Sequence, residues 1–249
     1  MSKIKVGAVS YLNTKPLLYG IEASALIEKI ELNLAYPAQL VQQLKEGSID
    51  MALMPVAALQ EINGAKIVAD YGIAAHGNVV SVALFSALPL DEIDTIILDY
   101  QSRTSVRLTQ LLCTEYWHKE VRFVAAGTDF ISEIKGKTAG VIIGDRALEQ
   151  LPHFKYNYDL SAAWKSFTGL PFVFAAWVSN KELPQDFLEE FNAAMAIGLE
   201  HLDEIAAANH IPYYSLKTYY KDNICYHLGE AEKKGLALFL EKISSPQNL

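Results

Sequence analysis

The sequence predicts an α/β protein of two lobes with a cleft between them. Short apolar runs alternate with helical patterns along the chain, as in folds built on mainly parallel sheets. Two of the strands, 4–9 and 95–99, run into polar turns that open helices, at 10–15 and 100–105. An open α/β sheet presents hydrogen-bond donors to a ligand in this way. The return to the first lobe falls near Gly169–Pro171, just before an apolar strand at 172–178. The expected lobes are therefore 1–93 plus 172–249, and 94–171, joined by a hinge of two crossovers.

The elements follow in order. A strand at 4–9 leads to a helix at 16–29, with Pro16 suited to the first turn. Strands at 30–36 and 51–55 flank a helix at 37–46, and a helical pattern covers 56–61. Strands are expected at 79–86, 95–99, 121–125 and 139–143, with helices at 104–118, 129–135 and 145–151. Helix 159–168 precedes strand 172–178. Helix 184–208 starts at Pro184 and carries one apolar stripe through Phe187, Leu188, Phe191, Met195, Leu199, Leu202 and Ile205. A helix at 230–243 ends the pattern.

Composition narrows the class. The chain has 249 residues, 51% of them hydrophobic, enough for one large core or two small ones. No apolar run approaches the ~18 residues of a membrane span. Asn13 and Lys15 arrive before any secretory h-region, so a chain starting at Met1 is expected in the cytoplasm. Its two cysteines, Cys113 and Cys225, lack metal-like spacing and are expected as free thiols there. A formal charge of −8 without a basic block argues against nucleic acid as a partner. An anionic ligand must then be held by a local site against the average field.

Four clusters could form that site. Ser10, Tyr11, Asn13, Thr14 and Lys15 crowd the first turn, where a helix cap needs one such residue rather than five. Ser102, Arg103, Thr104 and Ser105 offer hydroxyls, a guanidinium and free backbone N–H groups to a carboxylate or phosphate. A simple cap with a solvated Arg103 fits that turn equally well. Gly144 allows a tight turn, Asp145 can cap the following helix, and Arg146 can pair with an acid, a set suited to shaping a cleft. Ser81 lies in an apolar strand and matters only if that strand borders the cleft. The six histidines show no paired metal spacing, and only His76 falls in a plausible cleft loop. With no HExxH, GxSxG or glycine-rich phosphate loop, neither a metal nor a nucleotide cofactor is expected.

Placed in order, Ser10-Tyr11-Leu12-Asn13-Thr14-Lys15-Pro16-Leu17, Ser102-Arg103-Thr104-Ser105, Ile143-Gly144-Asp145-Arg146-Ala147-Leu148 and the run from Trp164 through Thr168-Gly169-Leu170-Pro171-Phe172 to Trp177 carry a resemblance. The chain resembles the chorismate dehydratases of the futalosine route to menaquinone. It departs from them at Lys15, where arginine is more usual, and at Ser161, where glycine is. The resemblance implies a two-lobed fold like the type 2 periplasmic binding proteins, and loss of water from chorismate to give 3-[(1-carboxyvinyl)oxy]benzoate. It implies that Asn13 and Ser81 contact the reacting ring, with Ser10, Tyr11, Thr14, Ser102, Arg103, Thr104, Ser105, Asp145 and Arg146 around the substrate. These groups include no strong base near the ring, so elimination assisted by the substrate's own enolpyruvyl carboxylate is expected. A small-anion sensor, or the sibling 1,4-dihydroxy-6-naphthoate synthase, shares the fold and stays open at this point.

Overall fold

A computed structural model of the chain describes residues 3–244. The path begins with β1 (Ile4–Ala8), α1 (Lys15–Glu22), α2 (Leu26–Lys29), β2 (Ile30–Leu34), α3 (Pro37–Glu46), β3 (Met51–Pro55) and β4 (Lys66–Ala75). It continues through β5 (Val82–Ser86), β6 (Thr95–Leu98), α4 (Arg103–Glu115), β7 (Arg122–Ala125), β8 (Thr138–Ile143), α5 (Asp145–Gln150), β9 (Tyr156–Asp159) and α6 (Leu160–Thr168). It closes with β10 (Phe172–Ser179), α7 (Gln185–Glu200), α8 (Leu202–Ala208), α9 (Leu216–Thr218), β11 (Cys225–His227) and α10 (Glu230–Ser244).

The strands form two sheets. One is six-stranded, in the order β11-β4-β10-β3-β1-β2, and the other five-stranded, in the order β7-β6-β8-β5-β9. Both are mixed, which corrects the mainly parallel expectation. Parallel pairs β1–β2, β1–β3, β6–β7 and β6–β8 stand beside antiparallel β3–β10, β4–β10, β4–β11, β5–β8 and β5–β9. The cause is topological: β10 returns from the second sheet and enters the first between β3 and β4, running against both.

The first crossover also moves. The sequence places it near Ile93, yet β5 (Val82–Ser86) already pairs with β8 and β9 of the second sheet. The chain therefore leaves the first sheet after Ala75 and reaches the second by Val82. Phe172 opens the strand that brings it back.

Alternation explains the layers. Along β5, Val82 and Leu84 face a core shared by both sheets, while Ala83 and Phe85 pack on the far side with Ile97, Phe130 and Ile142. The shared core joins Val6, Met51 and Trp177 of the first sheet to Leu84, Ile96 and Val141 of the second. Against the first sheet, α1 and α7 cross at Gly20 and Gly198. A Cβ on Gly20 would stand 1.9 Å from the Ala194 carbonyl oxygen, and one on Gly198 would stand 1.8 Å from that of Pro16. Only glycine permits that approach, which holds the start of α1 in place.

Candidate functional site

A cleft enclosing about 640 Å³ of atom-free space lies between the sheets, part of it open to solvent. From the first lobe it is lined by Tyr11, Asn13, Thr14, Leu53, Pro55, Ile73 and Phe174, and from the second by Ser81, Gln101, Ser102, Thr104, Ser105 and Gly144. None of the described lining residues is Asp, Glu, His, Lys or Arg.

The first wall is the turn after β1. Pro16 sits in the first turn of α1, and residues 12–14 form a single 3-10 turn ahead of it. The Leu12 N–H donates to Asp145 Oδ1 at 3.1 Å, tying the turn to the start of α5. Asp145 thus caps Leu12 rather than its own helix, whose cap is Gly144. Burial pushes the Asp145 carboxyl above its ordinary range. The Thr14 hydroxyl donates to Asn13 Oδ1 at 3.1 Å, leaving the Asn13 N–H₂ group free to face other partners. Burial lifts the Tyr11 phenol to about 12, so it stays protonated.

The opposite wall carries Ser81. The strand expected over 79–86 starts only at Val82, because 79–81 is a turn. The Ser81 N–H donates to the Val79 carbonyl at 2.7 Å, a γ-turn, with φ of Val80 at +57°. A β-branched residue pays about 1–3 kcal/mol to sit in that region, so the surrounding bonds must hold it there. Asp159 does part of this: its Oδ2 accepts the Val80 N–H at 2.7 Å and its Oδ1 the Ala162 N–H at 3.0 Å. The Gly144 N–H, donated to the Ser81 carbonyl at 2.7 Å, does the rest. Gly144 has φ +67° and ψ −146°, a conformation open essentially to glycine alone. Burial raises Asp159 to about 6.

Behind Ser81 stands Tyr219, fully buried, whose hydroxyl donates to Ser81 Oγ at 2.8 Å. The Asn13 side chain lies beside the same phenol. The three residues come from the first turn, the first crossover and the segment after α9, and sequence reasoning brings together only two of them. Nothing in the local sequence marks Tyr219, whose partner lies 138 residues away, and Asp159 reads locally only as the N-cap of α6, its bond to Val80 spanning 79 residues.

At the third wall Ser102 caps α4, accepting the Ser105 N–H at 3.0 Å and donating to Ser105 Oγ at 2.8 Å. Thr104 is committed to structure: its hydroxyl donates to the Phe174 carbonyl and accepts the Ala57 N–H, each at 3.2 Å. Four of the expected substrate contacts lie outside the cleft lining: Asp145, bonded to Leu12, and three more. Ser10 is exposed, two residues past the end of β1, and outside the cleft lining. Arg103 points to the surface and pairs with Glu61. Arg146 is spent on the buried Asp99 carboxylate at 2.7 Å and on Gln101 Oε1 at 3.0 Å. A carboxylate with no solvent requires such a partner.

One group of described residues has metal-ligand composition. His76, Cys225 and Glu232 bring their ligating atoms within 4.8 Å of one another, outside the cleft. His76 Nε2 lies 2.6 Å from the Glu232 carboxylate, and the Cys225 thiol donates to the His227 carbonyl at 3.2 Å. His76 therefore turns away from the cleft rather than into it.

Two lobes and an interlobe cleft of neutral donors give the chain a fold like that of the periplasmic binding proteins. A protein of Candida albicans described as exhibiting the generic periplasmic binding protein fold matches with TM-score 0.60 at 11% identity, over 98% of this chain and 95% of its own. A protein of Archaeoglobus fulgidus matches with TM-score 0.76 at 16% identity, over 99% and 98%. These likenesses carry the fold alone. The chain belongs to the menaquinone biosynthesis family, whose model matches residues 4–245. A chorismate dehydratase of Thermus thermophilus is 28% identical over 97% of this chain and 95% of its own length.

Proposed function

We propose that this protein is a carbon–oxygen lyase that removes water from chorismate, and that the reaction takes place in the interlobe cleft. Family membership and the chorismate dehydratase relatives support the activity. The observation that carries the mechanism is the cleft lining, which holds no carboxylate, imidazole or amine among its described residues. Its phenol, Tyr11, is held protonated by burial. Asp145, the nearest acid to the turn, accepts the Leu12 N–H instead of facing the cleft.

Chorismate brings what such a site lacks. Its enolpyruvyl carboxylate takes the C3 proton, the C3–H electron pair forms the new ring bond to C4, and hydroxide leaves C4. The acquired proton and the hydroxide together make the water. Aromatisation supplies the driving force, so the protein works by orientation and by fixed dipoles. Asn13 and Ser81 orient the ring and its hydroxyl, and the turn over residues 102–105 at the start of α4 holds a carboxylate.

Purified protein mixed with chorismate should form an aromatic product lighter by one water, followed by mass and absorbance. Binding without conversion would refute the enzymatic reading. A substrate whose enolpyruvyl carboxylate is a neutral ester should bind without eliminating. Turnover of that ester at the normal rate would place the base on the protein.

A further inference from the structure

We infer that Tyr219 is a positioning residue for this reaction: its hydrogen bond fixes the Ser81 hydroxyl so that the serine's proton points into the cleft. The inference rests on the reading of Asn13 and Ser81 as the groups facing the reacting ring.

Tyr219 does not line the cleft, and its hydroxyl reaches the site through Ser81, with Asn13 beside it. A phenol has one proton to donate, and here it goes to Ser81 Oγ at 2.8 Å. Asn13 Oδ1 already accepts from the Thr14 hydroxyl, which leaves the carboxamide N–H₂ group as a donor on the side of the phenol. The Tyr219 O–H is thus directed at Ser81 Oγ, with the Asn13 carboxamide beside the phenol. Ser81 becomes an acceptor toward the interior, and its single proton is left for an oxygen in the cleft. Hydrogen bonds in such a series strengthen one another where water is excluded.

The phenol is built to donate a hydrogen bond and to keep its proton. Burial holds its pKa well above the ordinary 10, and the nearby Asp145 and Tyr220 push the same way. Its position is set by the turn it opens. Tyr219 opens a π-helical turn (Tyr219–Asn223), a feature that recurs at functional sites. At the end of that turn Asn223 accepts from the Tyr214 hydroxyl at 3.0 Å and donates to the Asn78 carbonyl, in the crossover before Ser81, at 2.9 Å. The backbone of Ser81 is fixed by Asp159 and Gly144, and its hydroxyl by Tyr219.

The test is a double-mutant cycle on chorismate turnover with Tyr219→Phe and Ser81→Ala. Tyr219→Phe alone should lower kcat roughly 10–100-fold with KM changed less than about 3-fold. In the Ser81→Ala background the same change should cost less than about 2-fold, because no hydroxyl is left to orient. Equal losses in both backgrounds, or an unchanged kcat, would overturn the assignment. A second measurement needs no variant: wild-type kcat should show no basic limb between about pH 7 and 9, since a limb there would make the phenol a proton donor. Wild-type turnover is the control for the earlier reading. Its absence would overturn that reading and this inference together, whereas turnover with an additive cycle would overturn this inference alone.

Discussion

At the scale of single residues the site consists of neutral groups held by charged ones that stay outside it. Asn13 offers the clearest prediction. Its carboxamide faces the cleft with Oδ1 bound by Thr14 Oγ1, and it supports little of the core. Asn13→Ala should cut kcat by about 10²–10³ while moving stability by less than about 1 kcal/mol. Near-normal turnover beside an unchanged melting curve would remove Asn13 from the mechanism. Asp159 makes the complementary case. It titrates at about 6 against its ordinary 3.8 because it is buried, so the folded chain keeps a proton that the unfolded chain has lost. Its contribution therefore favours folding below about pH 4 and is lost as pH rises through about 6, a change on the order of 2–3 kcal/mol. Asp159→Asn mimics the neutral acid and should gain by that amount, relative to the wild type, between pH 4 and 7. Urea unfolding across that range measures it, and parallel stability curves would contradict it.

At the scale of elements, the sharpest prediction concerns the α1–α7 crossing. A methyl group on Gly198 would fall 1.8 Å from the Pro16 carbonyl oxygen, and backbone cannot rotate aside as a long side chain can. Gly198→Ala should therefore push α1 outward, cost about 2–3 kcal/mol, and lower the melting temperature by roughly 5–10 °C. Activity should fall with it, because α1 carries the Asn13 turn at its start. A melting temperature within a degree or so of wild type would show that the crossing has slack. The elements that sequence reasoning recovers are those with clean periodicity, such as β3 (Met51–Pro55), α3 (Pro37–Glu46) and β10 (Phe172–Ser179). Those it misses lack such a signal. β4 (Lys66–Ala75) is interrupted by Asp70, Tyr71 and Gly72, β9 is the polar run Tyr-Asn-Tyr-Asp, and β11 has three residues. The expected helix 184–208 breaks at His201, whose φ of −110° and ψ of +20° leave the helical region although the apolar stripe runs past it. The site divides in the same way: dense local clusters reveal Asn13 and Ser102, while Tyr219 and Asp159 act through contacts that only the fold creates.

At the scale of the whole molecule, charge and substrate stand in opposition. The chain carries −8 and the proposed substrate is a dianion, yet no described lining residue is cationic. The arginines that sequence analysis assigned to the anion, Arg103 and Arg146, are neutralised by Glu61 and Asp99. Attraction is therefore left to backbone N–H groups and hydroxyls, whose dipoles act only at short range, while the long-range field repels. Salt screens the long-range part: the Debye length shrinks from about 30 Å at 0.01 M to about 8 Å at 0.15 M. Raising ionic strength over that interval should thus raise kcat/KM for chorismate a few-fold, chiefly by lowering KM. A site built on a free guanidinium would show the reverse, losing affinity as its ion pair is screened. Steady-state rates in a series of sodium chloride concentrations decide the sign, and a fall in kcat/KM with salt would mean that a cation reaches the substrate after all.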